Sequence, residues 1–523
     1  MANYREQIEY LLNNPSELLK KQPFFRGYEQ SGGLTPSYSR KIVGINDTID
    51  ASLPRLKKRV ITQDQFLIEL EPSNHKVLYD QNIPSITMKL DNGSYVEIEY
   101  KKMAVSFQKN ILDKQVLHLC GFPMQFTMMN SNPSDGQKED FSLYKQYWRL
   151  RNQDGMREKM VETQKSVGDA GLLYYFDNKY RIKSRLLSYK DGYVLCPHND
   201  DNGDRILESV YYVSDGIEYI DSYDDTYFYR HVMDLSSDSD SDWQLVTSEP
   251  HGFSEIPLIT KRGDVAWSDA QSVIEAYEII YNIFLVIQKR HGWGILYIKG
   301  KFSEDGKKIA GSVILNSKNS GYGDQASSDD AKFLTPPTPQ GILDTLQQME
   351  ETIQKNASTT FILPKDIKSS GDISGTAILL TQTMDIECAM KGAIEWQNVA
   401  DKMARLFKEG LAKELVKKGI KPTAVTDFEN MSINAEFKIW RPQSETEIVT
   451  RLNMAKGGGF LSVQSAAEVN PDSKPDEVER INKEKMEDAQ IALEKQEQQL
   501  ELNAKYSQSS SSSGGNNNNN NNN

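Results

Sequence analysis

Hydrophobic residues recur along the chain at two spacings, and the alternation between those spacings outlines its organisation. Near the start, Ile8, Tyr10, Leu11 and Leu12 mark a short helix that Asn14-Pro15 ends, with a second short helix expected over 16–21. Residues 40–100 read as strands. FLIELEP (66–72) and YVEIEY (95–100) alternate apolar and polar, and Asp91-Asn92-Gly93 supplies a hairpin turn. Val105, Phe107, Ile111, Leu112 and Val116 return to helical spacing until Gly121-Phe122-Pro123 stops them. A further helical pattern runs from Asp140 to Val167. Tyr- and Val-rich strand patterns divided by Asp, Asn and Gly turns then fill about 170–260, beginning with GDAGLLYYF (168–176).

The second half changes character. A long amphipathic helix is expected from a cap at Ser268-Asp269 to His291, with Val273, Ile274, Tyr277, Ile280, Tyr281, Phe284 and Ile287 on one face. Lys289, Arg290 and His291 in its last turn suit the helix dipole. A small strand-and-loop module (about 295–338) leads through Pro336-Pro337 to a second helix over 341–357. The loop after it, 359–375, is longer than most helix–helix connections. The longest helical segment follows over 376–418, then a strand at 435–440 and a polar helix from Pro475 to about Tyr506. The remaining Ser/Asn run is too polar to bury enough surface to order itself.

Composition narrows the function. A chain of 523 residues predicts two to four domains, and 38 % hydrophobic with 26 % charged residues is globular but polar. Lys and Arg number 61 against 74 Asp and Glu, a net charge of −13. A free-standing protein that grips phosphates is usually basic, so any relation to DNA is local or deliberately non-adhesive. Of three widely separated cysteines, one bridge would strand a thiol. Cys120, Cys196 and Cys388 therefore read as small hydrophobes in a reducing compartment. No apolar leader is apparent. The longest greasy stretch, Ile279 to Ile287, is interrupted by Asn282 and falls far short of the ~20 residues that span a bilayer. A soluble, intracellular chain without a membrane partner is expected.

Catalytic signatures are absent: no phosphate-binding glycine loop, no HExxH, no GxSxG, no paired CxxC. Cys196-Pro197-His198 reads as turn chemistry, because a zinc site wants three or four ligands. Asp238, Asp240, Asp242 and Glu249 occupy the first, third, fifth and twelfth positions of a calcium loop. Trp243 stands where that loop needs glycine, so the run reads as a solvated acidic turn. A metal-dependent hydrolase would have to use this run with Asp200, Asp201 and Asp204, and no base or nucleophile accompanies them. No cofactor or metal is expected. Lys289, Arg290, Lys299, Lys301, Lys307 and Lys308 surround the small module, each by itself an ordinary solvated cation.

The order of these pieces carries a resemblance. Ile256-Pro257-Leu258-Ile259 precedes Ser268-Asp269 and SVIEAYEIIYNIFLVIQ. ILYIKG (295–300), a variable module, a second helix, Ser374-Gly375-Thr376-Ala377-Ile378, a very long helix and GGGFLSVQSAAEVNPDSKPDEVERINKE (457–484) follow. No single motif is strong, but the joint order from about 100 to 490 resembles the portal proteins of tailed bacteriophages. The resemblance implies an α+β portal fold. Its β-rich wing would take residues 1–260, and a long kinked wing helix with the rest of the wing 376–460. Two stem helices (261–291 and 341–358) would flank a small α/β clip (292–340). A channel loop (359–375), a helical crown (461–506) and a disordered tail (507–523) complete the mapping.

The resemblance also implies a role. Such proteins are structural rather than enzymatic and form a ring, usually of twelve, at one capsid vertex, through which double-stranded DNA is packaged and ejected. The implied partners are further copies of the chain, DNA, the large terminase subunit, head–tail adaptors and the major capsid protein. The implied location is the virion, after assembly in the host cytoplasm. Lys365, Asp366, Lys368, Ser369, Ser370 and Gly371 would face the DNA path. Lys299, Lys301, Lys307 and Lys308 would form the partner surface of the clip. The apolar face from Val273 to Ile287 would be either a monomer core or the subunit seam, which periodicity cannot separate. A virion adaptor without a channel, or the metal-dependent hydrolase, are the alternative readings.

Overall fold

The computed structural model describes residues 3–20, 23–30, 56–83, 86–89, 95–98, 101–130, 132–234, 243–291, 295–299, 302–303, 316–317, 330–334, 340–361, 382–440, 445–459, 466 and 477–511. Two units can be distinguished. The first comprises Met1–Ser369 with Thr381–Arg441, and the second Ser370–Leu380 with Pro442–Asn523. The chain mixes helices and antiparallel sheets, as an α+β class requires.

The first unit is organised by the helix Thr383–Lys417, which buries Trp396, Val399, Met403, Phe407, Leu411 and Leu415 at the three-to-four spacing of one face. Helices Phe107–Cys120, Asp135–Leu150 and Gln153–Val167 pack into the same core. Large aromatics fill the centre. Trp148 meets Phe407 edge-on at 5.3 Å and 84°, and Tyr144 meets Phe126 at 5.3 Å and 88°. A three-stranded sheet in the order Leu258–Arg262, Asp169–Phe176, Ile182–Leu187 closes this core. Beside it lies a five-stranded antiparallel sheet in the order Gln244–Pro250, Tyr227–Asp234, Ile217–Tyr223, Arg205–Ser214, Val194–Asn199. The short helices Asn3–Asn13 and Pro15–Leu18 cover part of it, Ile8 and Leu18 packing with Ile206, Leu207 and Ile220. In the second unit, helix Glu445–Gly457 precedes helix Glu477–Ser511, whose side chains are exposed almost throughout 480–500, as their polarity requires.

Several expectations need correction. FLIELEP is not a strand. Residues Gln63–Leu70 form a helix whose cap, Thr62, accepts the Gln65 N–H at 3.3 Å. Phe66 and Glu69 are buried three residues apart while Ile68 is exposed, so core contact chose the helical period over the alternating one. The helical stretch 140–167 is two helices, broken where Asn152 turns left-handed (φ 50°). The first of them opens earlier, at a capping box made by Ser134 and Gln137. Ser268-Asp269 does not cap the long helix, which runs Gln271–His291. Turns occupy 266–270, because Trp267 is drawn into the core and its Nε1 donates to Glu69 Oε2 at 2.9 Å.

Cys196-Pro197-His198 is not a turn either. It lies in the edge strand Val194–Asn199, where proline's missing N–H is tolerated. The strand expected at 435–440 is Ile433–Glu436, paired with Gln125–Met128. It ends before Trp440, whose N–H donates to His118 O at 2.8 Å. The last helix continues through Ser511, past the expected start of the tail at 507.

Strands Ile86–Lys89 and Tyr95–Ile98 pair as a hairpin would, Lys89 opposite Tyr95. Their turn 91–93, the acidic run 238–242 and the tail from 512 lie outside the described residues. Among the described residues no helix is long and apolar enough to cross a membrane.

Candidate functional site

Two helices carry the apolar face singled out in the sequence. Gln271–His291 and Gln340–Asn356 lie against each other. Asn356 Nδ2 donates to Asp269 O at 3.3 Å, so the end of the second helix meets the start of the first and the pair is antiparallel. The second helix buries Leu346 and Ile353. Of the predicted face, Ile274 is fully buried, and Val273 and Tyr277 are partly buried against the main core. Ile280, Tyr281, Phe284 and Ile287 are half-buried. Tyr277 meets Phe107 edge-on at 5.1 Å and stacks on Tyr281 at 5.9 Å. Burial raises the Tyr277 phenol above its ordinary range, with Glu350 adding to the effect.

A second row, of which only Ile274 was expected from the sequence, anchors the first helix. Ile274, Glu278, Asn282 and Val286 stand four residues apart and are all buried. Both polar members of that row are hydrogen-bonded. Asn282 Oδ1 accepts the Met103 N–H at 2.8 Å while its Nδ2 donates to Met103 O at 2.7 Å, the two-way pairing of a sheet made by one side chain. Glu278 Oε1 accepts the Val105 N–H at 2.8 Å and lies 2.7 Å from His75 Nδ1. His75 Nε2 is 2.8 Å from Glu69 O, and the Glu69 carboxylate takes Arg26 at 2.6 Å and the Trp267 indole at 2.9 Å. Burial alone would lower the His75 pKa. The hydrogen bond to Glu278 and its charge, together with the Glu69 carbonyl and charge, outweigh burial, and the net shift is upward. Asn282 reads from sequence as an interruption of an apolar run. Its spacing from Ile274 and Glu278 was the available signal.

The body ends of both helices share one clasp. Gln115 Nε2 donates to Ala266 O at 3.3 Å and to Ala357 O at 2.9 Å, just before the first helix and just after the second. Its Oε1 accepts from Lys165 at 3.0 Å.

The predicted channel-loop residues Lys365, Asp366, Lys368, Ser369, Ser370 and Gly371 lie outside the described residues, but both flanks are described and meet. The Thr360 N–H donates to Asp385 Oδ1 at 3.1 Å and Oδ2 at 3.2 Å. In the small module, strand Ile295–Lys299 pairs with Asp330–Leu334, which puts Lys299 opposite Asp330. Lys301, Lys307 and Lys308 lie outside the described residues.

Of the hydrolase candidates, Asp238, Asp240 and Asp242 lie outside the described residues, and Asp200 and Asp204 share a turn. Asp200 closes its own turn, Oδ1 accepting the N–H groups of Asn202 at 2.9 Å and Asp204 at 2.8 Å. Glu249 sits on the exposed strand Gln244–Pro250. Cys120 is buried and its thiol is pushed up to about 12 by desolvation, which suits packing rather than nucleophilic attack. Among the described residues no group of three His, Cys, Asp or Glu is placed to hold a metal ion.

Residues 67–490 match the family described as phage portal protein, SPP1 Gp6-like. No curated protein matches the chain.

Proposed function

The chain belongs to the phage portal protein family, a structural family of the bacteriophage head–tail connector that serves DNA packaging, and from that membership we propose how its parts are used. Copies of the chain close head-to-tail into a ring, usually of twelve, at one capsid vertex. Double-stranded DNA enters and leaves along the axis. The large terminase subunit docks during packaging, the head–tail adaptors dock afterwards, and the major capsid protein surrounds the ring.

The observation that carries this reading is the antiparallel helix pair, anchored at one end by Gln115 and along the first helix by Glu278 and Asn282, within a family match that spans it. In the proposed mapping the pair is the stem and the module between its helices is the clip. The N-terminal and β-rich parts with the long helix form the wing, and the polar C-terminal helix the crown.

Dimensions support a conduit. The first helix has 21 residues, about 32 Å of rise. Twelve such helices around an axis at ~10 Å spacing draw a circle ~38 Å across. Subtracting one helix diameter of ~10 Å leaves a bore near 28 Å, wide enough for a DNA duplex with water and ions. Eight copies would leave only ~15 Å by the same sum. The half-buried face Tyr277, Ile280, Tyr281, Phe284 and Ile287 is the seam that each copy presents to its neighbour, since a closed ring needs every subunit to bury a patch against the next.

Charge fits transport rather than retention. Every phosphate neutralised by Lys or Arg adds affinity, so a cationic sleeve would hold the duplex. A chain of net charge −13 repels it, and Lys365 and Lys368 relieve that repulsion locally. Negative-stain microscopy and native mass of the purified assembly test the ring. The expected result is a closed particle of about twelve chains with an axial hole, and a solid or pairwise particle would refute it. Changing Lys365 and Lys368 together to Glu is expected to shorten the packaged genome. An unchanged length would remove these two residues from the DNA path.

A further inference from the structure

The proposed channel loop springs from a root in which three backbone groups are each taken by a side chain of a different helix. Asp385, 4 % exposed in the first turn of Thr383–Lys417, accepts the Thr360 N–H with both carboxylate oxygens at 3.1 and 3.2 Å. Lys114, from Phe107–Cys120, donates to Thr360 O. Gln354, from Gln340–Asn356, accepts the Phe361 N–H with Oε1 at 2.9 Å.

The backbone reverses just before this root, with Ser358 left-handed at φ 47° and Thr359 N–H returning to Gln354 O at 3.0 Å. Phe361 then lies under Lys114, 5.6 Å from Nζ to the ring centroid, and 5.8 Å from Phe107. Phe107 in turn packs on Tyr277 of the first helix at 5.1 Å.

An ordinary connector leaves such groups to water. Here a carboxylate and an ammonium are desolvated to hold them. Burial pulls the Lys114 pKa down, and the Asp385 charge across the Thr360 backbone offsets only part of that shift. Burying an opposite pair in this way adds little net stability. It does order the backbone it grips, in one place and one direction.

We propose that Asp385 is a positioning residue of the conduit. With Lys114 and Gln354 it fixes the backbone at Thr360 and Phe361, from which the proposed channel loop begins, and packaging depends on that fixed start. This rests on the conduit reading above.

The test uses the full-length ring with Asp385→Asn, Lys114→Met and Lys114→Arg. Hydrogen–deuterium exchange of the peptide containing Thr360 and Phe361 reads the root directly, and packaging into capsids reads its use. Asp385→Asn and Lys114→Met are expected to speed exchange there at least tenfold. Ring mass is expected to stay that of the unaltered protein while filled capsids fall about tenfold. Lys114→Arg, which keeps the cation, is expected to retain both exchange protection and packaging.

Unchanged exchange in the first two variants overturns the seat. Faster exchange with undiminished packaging overturns its role in positioning. If Asp385→Asn fails to form rings, Lys114→Met, which leaves every residue of the long helix unchanged, decides the matter by the same two readouts. A ring without an axial hole would fail the conduit reading instead, and the exchange result would still stand or fall by itself.

Discussion

Changing Glu278 to Gln removes one charge from the buried face of helix Gln271–His291 and almost no volume. The carboxylate is 3 % exposed, and its Oε1 is shared between the Val105 N–H at 2.8 Å and His75 Nδ1 at 2.7 Å. The amide can still accept from Val105, so that bond weakens from a charged to a neutral one, a loss of ~1 kcal/mol. The larger effect falls on His75, whose raised pKa depends on Glu278. A group whose pKa is raised on folding stabilises most below its ordinary value near 6.5. That contribution is lost as pH rises through the higher folded value. The cost of Glu278→Gln is therefore expected to be ~1 kcal/mol at alkaline pH and to grow to ~3 kcal/mol in mild acid, where a buried imidazolium would lack its counter-charge. Urea unfolding followed by tryptophan fluorescence at acid, neutral and alkaline pH, with His75→Ala and the double variant completing a cycle, measures it. A loss that does not vary with pH, or a coupling energy of zero between the two sites, would refute the assignment of His75 and Glu278 as the pair that seats this helix.

Glu414, fully buried on the long helix, accepts from Arg151 Nη2 at 2.8 Å and from the Ile182 N–H at 2.8 Å. Glu414→Ala strands both and is expected to cost ~3–5 kcal/mol in the same unfolding assay. One turn earlier, a Cβ at Gly410 would stand 2.3 Å from Ile182 Cδ1 and 3.3 Å from Phe253. Gly410→Ala is therefore expected to lose ~1–3 kcal/mol and lower the melting temperature, despite alanine's better helix propensity.

Where periodicity was long and unbroken, the elements could be read directly. The helices at 107–120, 340–356 and 383–417, and the strands from 169 to 250, depend on patterns that only one backbone period satisfies. Short segments were not legible in this way. FLIELEP is compatible with either period, and only the burial of Phe66 beside Glu69 selects the helix. The candidate site was legible to the same degree. Its apolar face follows from residues 273–287, whereas its anchorage depends on Glu278, Asn282 and Gln115. Polar residues inside an amphipathic pattern look like solvent-facing ones until their partners are known.

Residue order alone determined the kind of the long elements, the acidic balance that disfavours a DNA-gripping surface, and the succession of pieces shared with the portal family. These are local or additive properties, so one dimension suffices to express them. Tertiary structure alone decided which polar groups are buried, since Glu278 meets Val105 across 173 positions and Thr360 meets Asp385 across 25. Hydrogen bonds of that kind join residues that are neighbours only after the chain has folded, and no spacing along the sequence encodes them.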